Sequence, residues 1–147
     1  MSYEVRPATL DDAEGLIALW NDAGLHLYPE TLMHAEIESV LGRNPGGILI
    51  AIDETGIIGS VIGTFDGRRG WINRLATRSD RRGLGIARDL MNRIQDQLAA
   101  LGCRKVNLLV SGDNANVVPF YESIGFQAHE DVFMDRYLTK RDIEKPE

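Results

Sequence analysis

The chain has 147 residues, 44% apolar and 26% charged, which suits one globular domain with its own core and excludes whole-chain disorder. A net charge of −6 argues against nucleic acid as a partner, because that binding depends on neutralising phosphates. One cysteine, Cys103, excludes an internal disulfide framework, no apolar run is long enough to span a bilayer, and "MSYEVRPATLDD" lacks a signal layout, so a cytoplasmic protein with no membrane partner is expected.

"YEVRPAT" alternates and reads as a first strand. Thr9 offers an N-cap, with Asp11 and Asp12 in the first turn. Ala13, Leu16, Ile17 and Trp20 follow helical spacing, so a helix is expected from about Leu10 to about Asn21, ended by Gly24. A second helix follows Pro29, from Glu30 to Leu41. "GGILIAI" is a buried-type strand, "DETG" a turn, and "IIGSVIGTF" the next strand. "DGRRG" turns the chain into "WINRLAT", which makes a hairpin.

Ile86, Leu90, Met91, Ile94, Leu98 and Leu101 form one apolar helical stripe, and Gly102 stops it. "KVNLLV" reads as a strand, "SGDN" as a loop and "ANVVPFYESI" as a shorter helix stopped by Gly125. "DVFMDRYL" reads as a closing strand, and the polar stretch from about 139 to 147 as a fraying tail. Residues 1–147 thus read as a single domain of α+β class, a mixed sheet with helices on its faces.

The stretch "RRGLGIA", Arg81 to Ala87, precedes the strongest helix. The first N–H groups of a helix have no intrahelical partner and attract anions. Gly83 and Gly85 permit left-handed backbone and close approach, so consecutive N–H groups up to Ala87 can converge on one phosphate. Arg81 and Arg82 add forked donors. A glycine loop with solvated arginines is the plainer alternative. The stretch is no P-loop, since no Lys-Ser/Thr pair follows the second glycine, and the third glycine of a dinucleotide fingerprint is missing.

"RGLGIA" resembles the R/Q-x-x-G-x-G/A loop of the GNAT superfamily of acetyl-CoA-dependent N-acetyltransferases, and "DNANVVPFYESIGF", Asp113 to Phe126, resembles that family's second block. The resemblance covers about Gly56 to Tyr137, with a nearest overall likeness to small bacterial members and to ribosomal-protein N-terminal acetyltransferases. It implies a mostly antiparallel central sheet splayed between two neighbouring strands, "WINRLAT" and "KVNLLV", with helices on both faces. It implies acetyl-CoA as co-substrate, its pantetheine bonding near Leu75, Ala76 and Thr77. The pyrophosphate would lie on Gly83, Leu84, Gly85, Ile86 and Ala87 beside Arg82, and Asn114 would meet the cofactor arm. Tyr121 would act as the general acid. Val117 departs from the alanine usual in the second block.

The acceptor is expected to be a primary amine of a small molecule or a protein N-terminus, and homodimers are common in the family. Tyr28, Leu27 and Trp71 are candidates to line the acceptor pocket, Asn73 and Arg74 lie on the central strand, and Arg74 is a candidate to hold a substrate carboxylate. The ribosomal-protein branch carries a glutamate where this chain has Leu109, so the general base is sought among Asp66, Glu30, His26, His34 or a water. Three dispersed histidines and one cysteine suggest no metal. The missing carboxylate leaves a second reading open: a non-catalytic acyl-CoA sensor or interaction module of the same fold.

Overall fold

The computed structural model describes residues 2–25 and 29–139. They fall into two compact units, Met1–Leu109 and Val110–Glu147. In the first, β1 (Glu4–Pro7) leads into a 3-10 turn, Leu10–Asp12, and then α1 (Ala13–Asp22) and α2 (Glu30–Arg43). β2 (Ile48–Asp53), β3 (Gly56–Phe65) and β4 (Gly70–Thr77) follow, then a 3-10 turn at Ser79–Arg81, α3 (Ile86–Ala100) and β5 (Val106–Asn107). The five strands lie in chain order in one sheet, antiparallel from β1 to β4, with β5 parallel to β4. No helix among the described residues is long and apolar enough to cross a membrane.

Turn chemistry sets both hairpins. Asp53 accepts the Thr55 N–H at 2.8 Å, and Asp66 accepts the N–H groups of Arg68 and Arg69 at 2.8 Å each, the side chain standing in for a strand partner. The first helix begins as a 3-10 turn because Asp12 reaches back to the Thr9 N–H at 2.8 Å and also pairs with Arg6 at 2.9 Å.

The period-two alternation of β3 divides the core between two faces of the sheet. Ser60 and Ile62 face α1 and α2, where Leu16, Trp20, Met33, Ile37, Ile48 and Ile50 are buried. Gly59 and Gly63 face α3 and let it lie close: a Cβ on Gly59 would stand 2.8 Å from Ile86 Cγ2 and 3.1 Å from Leu90 Cδ1. The stripe Ile86, Leu90, Met91, Ile94 and Leu98 is buried there, worth about 1.5–3 kcal/mol for each large apolar side chain. Leu101, counted in that stripe from its spacing, is exposed, because the helix ends at Ala100.

The expected strand "KVNLLV" pairs only at Val106 and Asn107, opposite Gly70 and Trp71. Gly70 permits this close approach, since a Cβ there would meet Cys103 Sγ at 2.8 Å and Val106 Cγ1 at 2.9 Å. β4 runs on to Thr77 with β3 on one side and no strand pairing on the other among the described residues.

The second unit holds a 3-10 segment, Gly112–Val117, and α4 (Val118–Ser123), closed by Gly125 at φ 101°. "DVFMDRYL" forms no strand, and Val132, Phe133, Met134 and Leu138 are exposed. Alternation marks a chain able to join a sheet, and strand preference is realised only through cross-strand neighbours.

Candidate active site

β4 carries an irregularity at its centre. Asn73 pairs with Ile62 and Ala76 with Ser60, so Arg74 and Leu75 together oppose the single residue Val61. This is a β-bulge, with Arg74 at φ 53° in the left-handed region. That backbone costs roughly 1–2 kcal/mol for a residue with a side chain, so something must hold it. Three contacts do. The Arg74 carbonyl accepts the Ser60 hydroxyl at 2.8 Å, the guanidinium lies 4.9 Å from the centre of the Trp20 ring, and it pairs with Glu36 at 3.4 Å. The Arg74 side chain is 12% exposed and its ion-pair partner Glu36 33%, so the pair is partly covered.

The loop after β4 is anchored before it turns. Asp22, at the end of α1, accepts the Ser79 N–H at 2.7 Å and the Ser79 hydroxyl at 2.9 Å, which holds its carboxyl below the ordinary value. Arg78 binds Asp80 at 2.7 Å and Thr55 at 2.8 Å. Arg81 pairs with Asp80 at 2.9 Å and with the well-covered Asp53 carboxylate at 3.3 Å. Sequence spacing gave Arg81 and Arg82 equal claims on an anion, but Arg81 is taken up by these acids and Arg82 is the exposed one.

Gly83 and Gly85 stand at φ 77° and φ 82°, as the nest reading requires. Nothing lies within 4 Å of where their Cβ atoms would be, so glycine serves the backbone conformation and the space before the loop is open. The first intrahelical donor of α3 is Asp89, bonded to the Gly85 carbonyl at 3.0 Å. The N–H groups of Ile86 and Ala87 therefore have no acceptor inside the helix. Leu84 is exposed beside them.

In the second unit, Tyr121 lies on α4, half-buried, with its ring edge-on to Phe120 at 5.3 Å and Phe126 at 5.8 Å. Burial pushes its phenol above the ordinary value of 10.0 and keeps it protonated. Asn114 is exposed within the 3-10 segment, and Val117 ends that segment.

Of the acceptor-side candidates, Trp71 and Asn73 are exposed on β4, while His26, Leu27 and Tyr28 lie outside the described residues. Asp66 is a turn former: its carboxyl accepts two backbone N–H groups, which hold it below the ordinary range and make it a poor base. Leu109 is exposed. No three His, Cys, Asp or Glu side chains gather as a metal site among the described residues. Spacing places Trp20 on the apolar face of α1 but gives no sign of its bond to Ser60 or of the Ser60 bond to the Arg74 carbonyl, which join positions far apart in the chain.

β4 thus combines an edge unpaired beyond Trp71 among the described residues, a bulge at Arg74–Leu75 and, past its exit, left-handed glycines before α3. Residues 13–126 match the acetyltransferase (GNAT) family. The chain is 38% identical over 144 residues to an acetyltransferase of Sodalis glossinidius, covering 98% of this chain and 99% of that one. It is 36% identical over 137 residues to an acetyltransferase of Pectobacterium atrosepticum, covering 93% and 96%. Its fold matches the PaiA N-acetyltransferase of Thermoplasma acidophilum, solved in complex with coenzyme A, at a TM-score of 0.77 and 18% identity, covering 90% and 94% of the two chains. It also matches a predicted acetyltransferase of Clostridium acetobutylicum solved with acetyl-CoA, at a TM-score of 0.75 and 18% identity, covering 99% and 100%. The chain belongs to the acetyltransferase (GNAT) family, and it is an acyltransferase by class.

Proposed function

We propose that the protein moves an acetyl group from acetyl-CoA to a primary amine, of a small molecule or a protein N-terminus, by direct attack through a tetrahedral intermediate. The observation that carries this reading is the succession along β4 and its exit: an open strand edge, a bulge at Arg74–Leu75, then left-handed glycines at the start of α3. The coenzyme A and acetyl-CoA bound to the two structural relatives support the choice of donor.

In this reading the pantetheine pairs with the open edge at Leu75, Ala76 and Thr77. The pyrophosphate rests on the N–H groups from Gly83 to Ala87, with Arg82 as its charged partner, and Asn114 meets the cofactor arm. The amine lone pair attacks the thioester carbonyl carbon, and the carbonyl electrons move onto oxygen. The Leu75 N–H stabilises that oxyanion. Collapse restores the carbonyl, breaks the C–S bond and releases the thiolate, which takes its proton from Tyr121. The amine proton leaves to a base or water. An acceptor with an α-amine near pKa 7.7–8 needs only about 1 kcal/mol to be neutral at pH 7, against about 4–5 for a lysine-like amine. Trp71, Asn73 and Tyr28 form the acceptor side.

Calorimetry with acetyl-CoA, followed by a screen of amines and N-terminal peptides for acceptor-stimulated release of free coenzyme A, tests the proposal. Binding together with stimulated release supports it. No binding at millimolar acetyl-CoA, or binding with no amine that stimulates release, overturns it.

A further inference from the structure

Ser60 is the one buried polar side chain in the described core, fully covered at the middle of β3. Its hydroxyl donates to the Arg74 carbonyl at 2.8 Å and accepts the indole N–H of Trp20, itself fully buried, at 2.9 Å. An indole nitrogen can only donate, so Ser60 must accept from it and turn its single hydrogen to the carbonyl. The chain of bonds therefore has one direction: Trp20 to Ser60 to the Arg74 carbonyl.

That carbonyl shares a peptide group with the Leu75 N–H. In a trans peptide the two lie in one plane and point opposite ways. The Ser60 side chain faces α1, where Trp20 donates to it, so a carbonyl held by its hydroxyl turns the Leu75 N–H away from that face of the sheet. Two donors in series also draw electron density toward the carbonyl oxygen and make the N–H across the same peptide a stronger donor, since linked hydrogen bonds polarise one another. The Trp20 ring adds a second hold on Arg74 through its guanidinium.

We infer that Trp20 and Ser60 are positioning residues for acetyl transfer: a buried donor relay that aims and polarises the Leu75 N–H at the thioester oxygen. This rests on the proposal that Leu75 supplies the oxyanion donor. Neither residue lies on the phosphate loop, so the relay acts on the bound acetyl group and changes cofactor affinity by no more than one hydrogen bond's worth.

Infrared difference spectra of acetyl-CoA labelled with carbon-13 at its carbonyl, bound to the full chain, read this without an acceptor. In the wild type the thioester stretch falls below its frequency in free acetyl-CoA, reporting the Leu75 hydrogen bond. In Trp20→Phe and Ser60→Ala the frequency returns toward the free value while the calorimetric affinity for acetyl-CoA stays within about tenfold of wild type. Ser60→Thr, which restores a hydroxyl, keeps the lowered frequency. Trp20→Phe leaves the Ser60 bond in place and gives the readout should Ser60→Ala fail to fold. Variants that bind and keep the full wild-type shift overturn the relay alone. A wild-type stretch that is not lowered overturns the Leu75 assignment, and the relay with it.

Discussion

The Arg81 guanidinium turns back into the protein, its Nε donating to the Asp53 carboxylate at 3.3 Å, while its neighbour Arg82 is exposed at the mouth of α3. Two adjacent arginines thus do different work. Removing Arg81 leaves the well-covered Asp53 without its cation, which is a defect of the fold. In the proposed reading, removing the exposed Arg82 takes a donor from the pyrophosphate and leaves the packing intact. Arg81→Ala is expected to lower Tm more than Arg82→Ala. Arg82→Ala is expected to weaken coenzyme A binding about ten- to hundredfold, the range of a hydrogen bond to a charged group, with Tm near the wild-type value. Its binding also becomes less sensitive to salt. Thermal melts beside calorimetry at two ionic strengths check both, and reversed roles would reverse the pattern.

Gly63 is held to glycine by space. A Cβ there would run into Ile94 Cγ1, close to the helix backbone, and would stand 2.9 Å from Ile94 Cδ1 and 3.2 Å from Leu98 Cδ1. Gly63→Ala therefore overpacks the interface of β3 and α3, at about 1–3 kcal/mol of stability. Urea unfolding reads the loss as a lower midpoint at unchanged slope. A wild-type midpoint would mean that α3 can shift away at no cost.

These two cases show what sequence could and could not disclose. The burial of Ile86, Leu90, Met91, Ile94 and Leu98 follows from their spacing, and the left-handed glycines follow from their place before that helix. Periodicity is local and carries no record of contacts between distant positions. The Arg81–Asp53 pair and the Trp20–Ser60 bond span 28 and 40 positions, so nothing in either neighbourhood announces them. The extent of β5 is likewise a pairing property: "KVNLLV" reads as a strand over its length, yet only Val106 and Asn107 find a partner.

Acid should unfold the protein through its aspartates. Asp12 is held below its ordinary value of 3.8 first by the hydrogen bond from Arg6, Asp53 by Thr55, Asp66 by the Arg69 N–H and Asp80 by Arg78. A carboxyl whose value is depressed in the folded state contributes stability that is complete above its unfolded value and is lost as pH falls through the folded one. Tm is therefore expected to fall steeply below about pH 4. Asp12→Asn removes one contributor, so the variant starts lower at pH 7 and loses less between about pH 4 and about pH 2. Circular dichroism melts across that range check the sign. A slope unchanged by Asp12→Asn would show that the Arg6 pair gives the folded state nothing.

The chemistry and the packing of Tyr121 predict different readouts. Burial raises its phenol above 10.0, so it is fully protonated at neutral pH and remains a proton source well into the alkaline range. Its ring also meets Phe120 and Phe126, contacts that phenylalanine would keep. Tyr121→Phe thus isolates the hydroxyl. As general acid, its loss is expected to lower kcat about 10²–10⁴-fold with acetyl-CoA affinity and Tm near wild type. A leaving thiolate of lower pKa needs less help, so an acetyl thioester of a more acidic thiol should recover part of that loss in the variant and gain little in the wild type. If Tyr121→Phe turned over at the wild-type rate with the amine found by screening, the proton would have to reach the thiolate from solvent, and Tyr121 would keep only its place between the two phenylalanine rings.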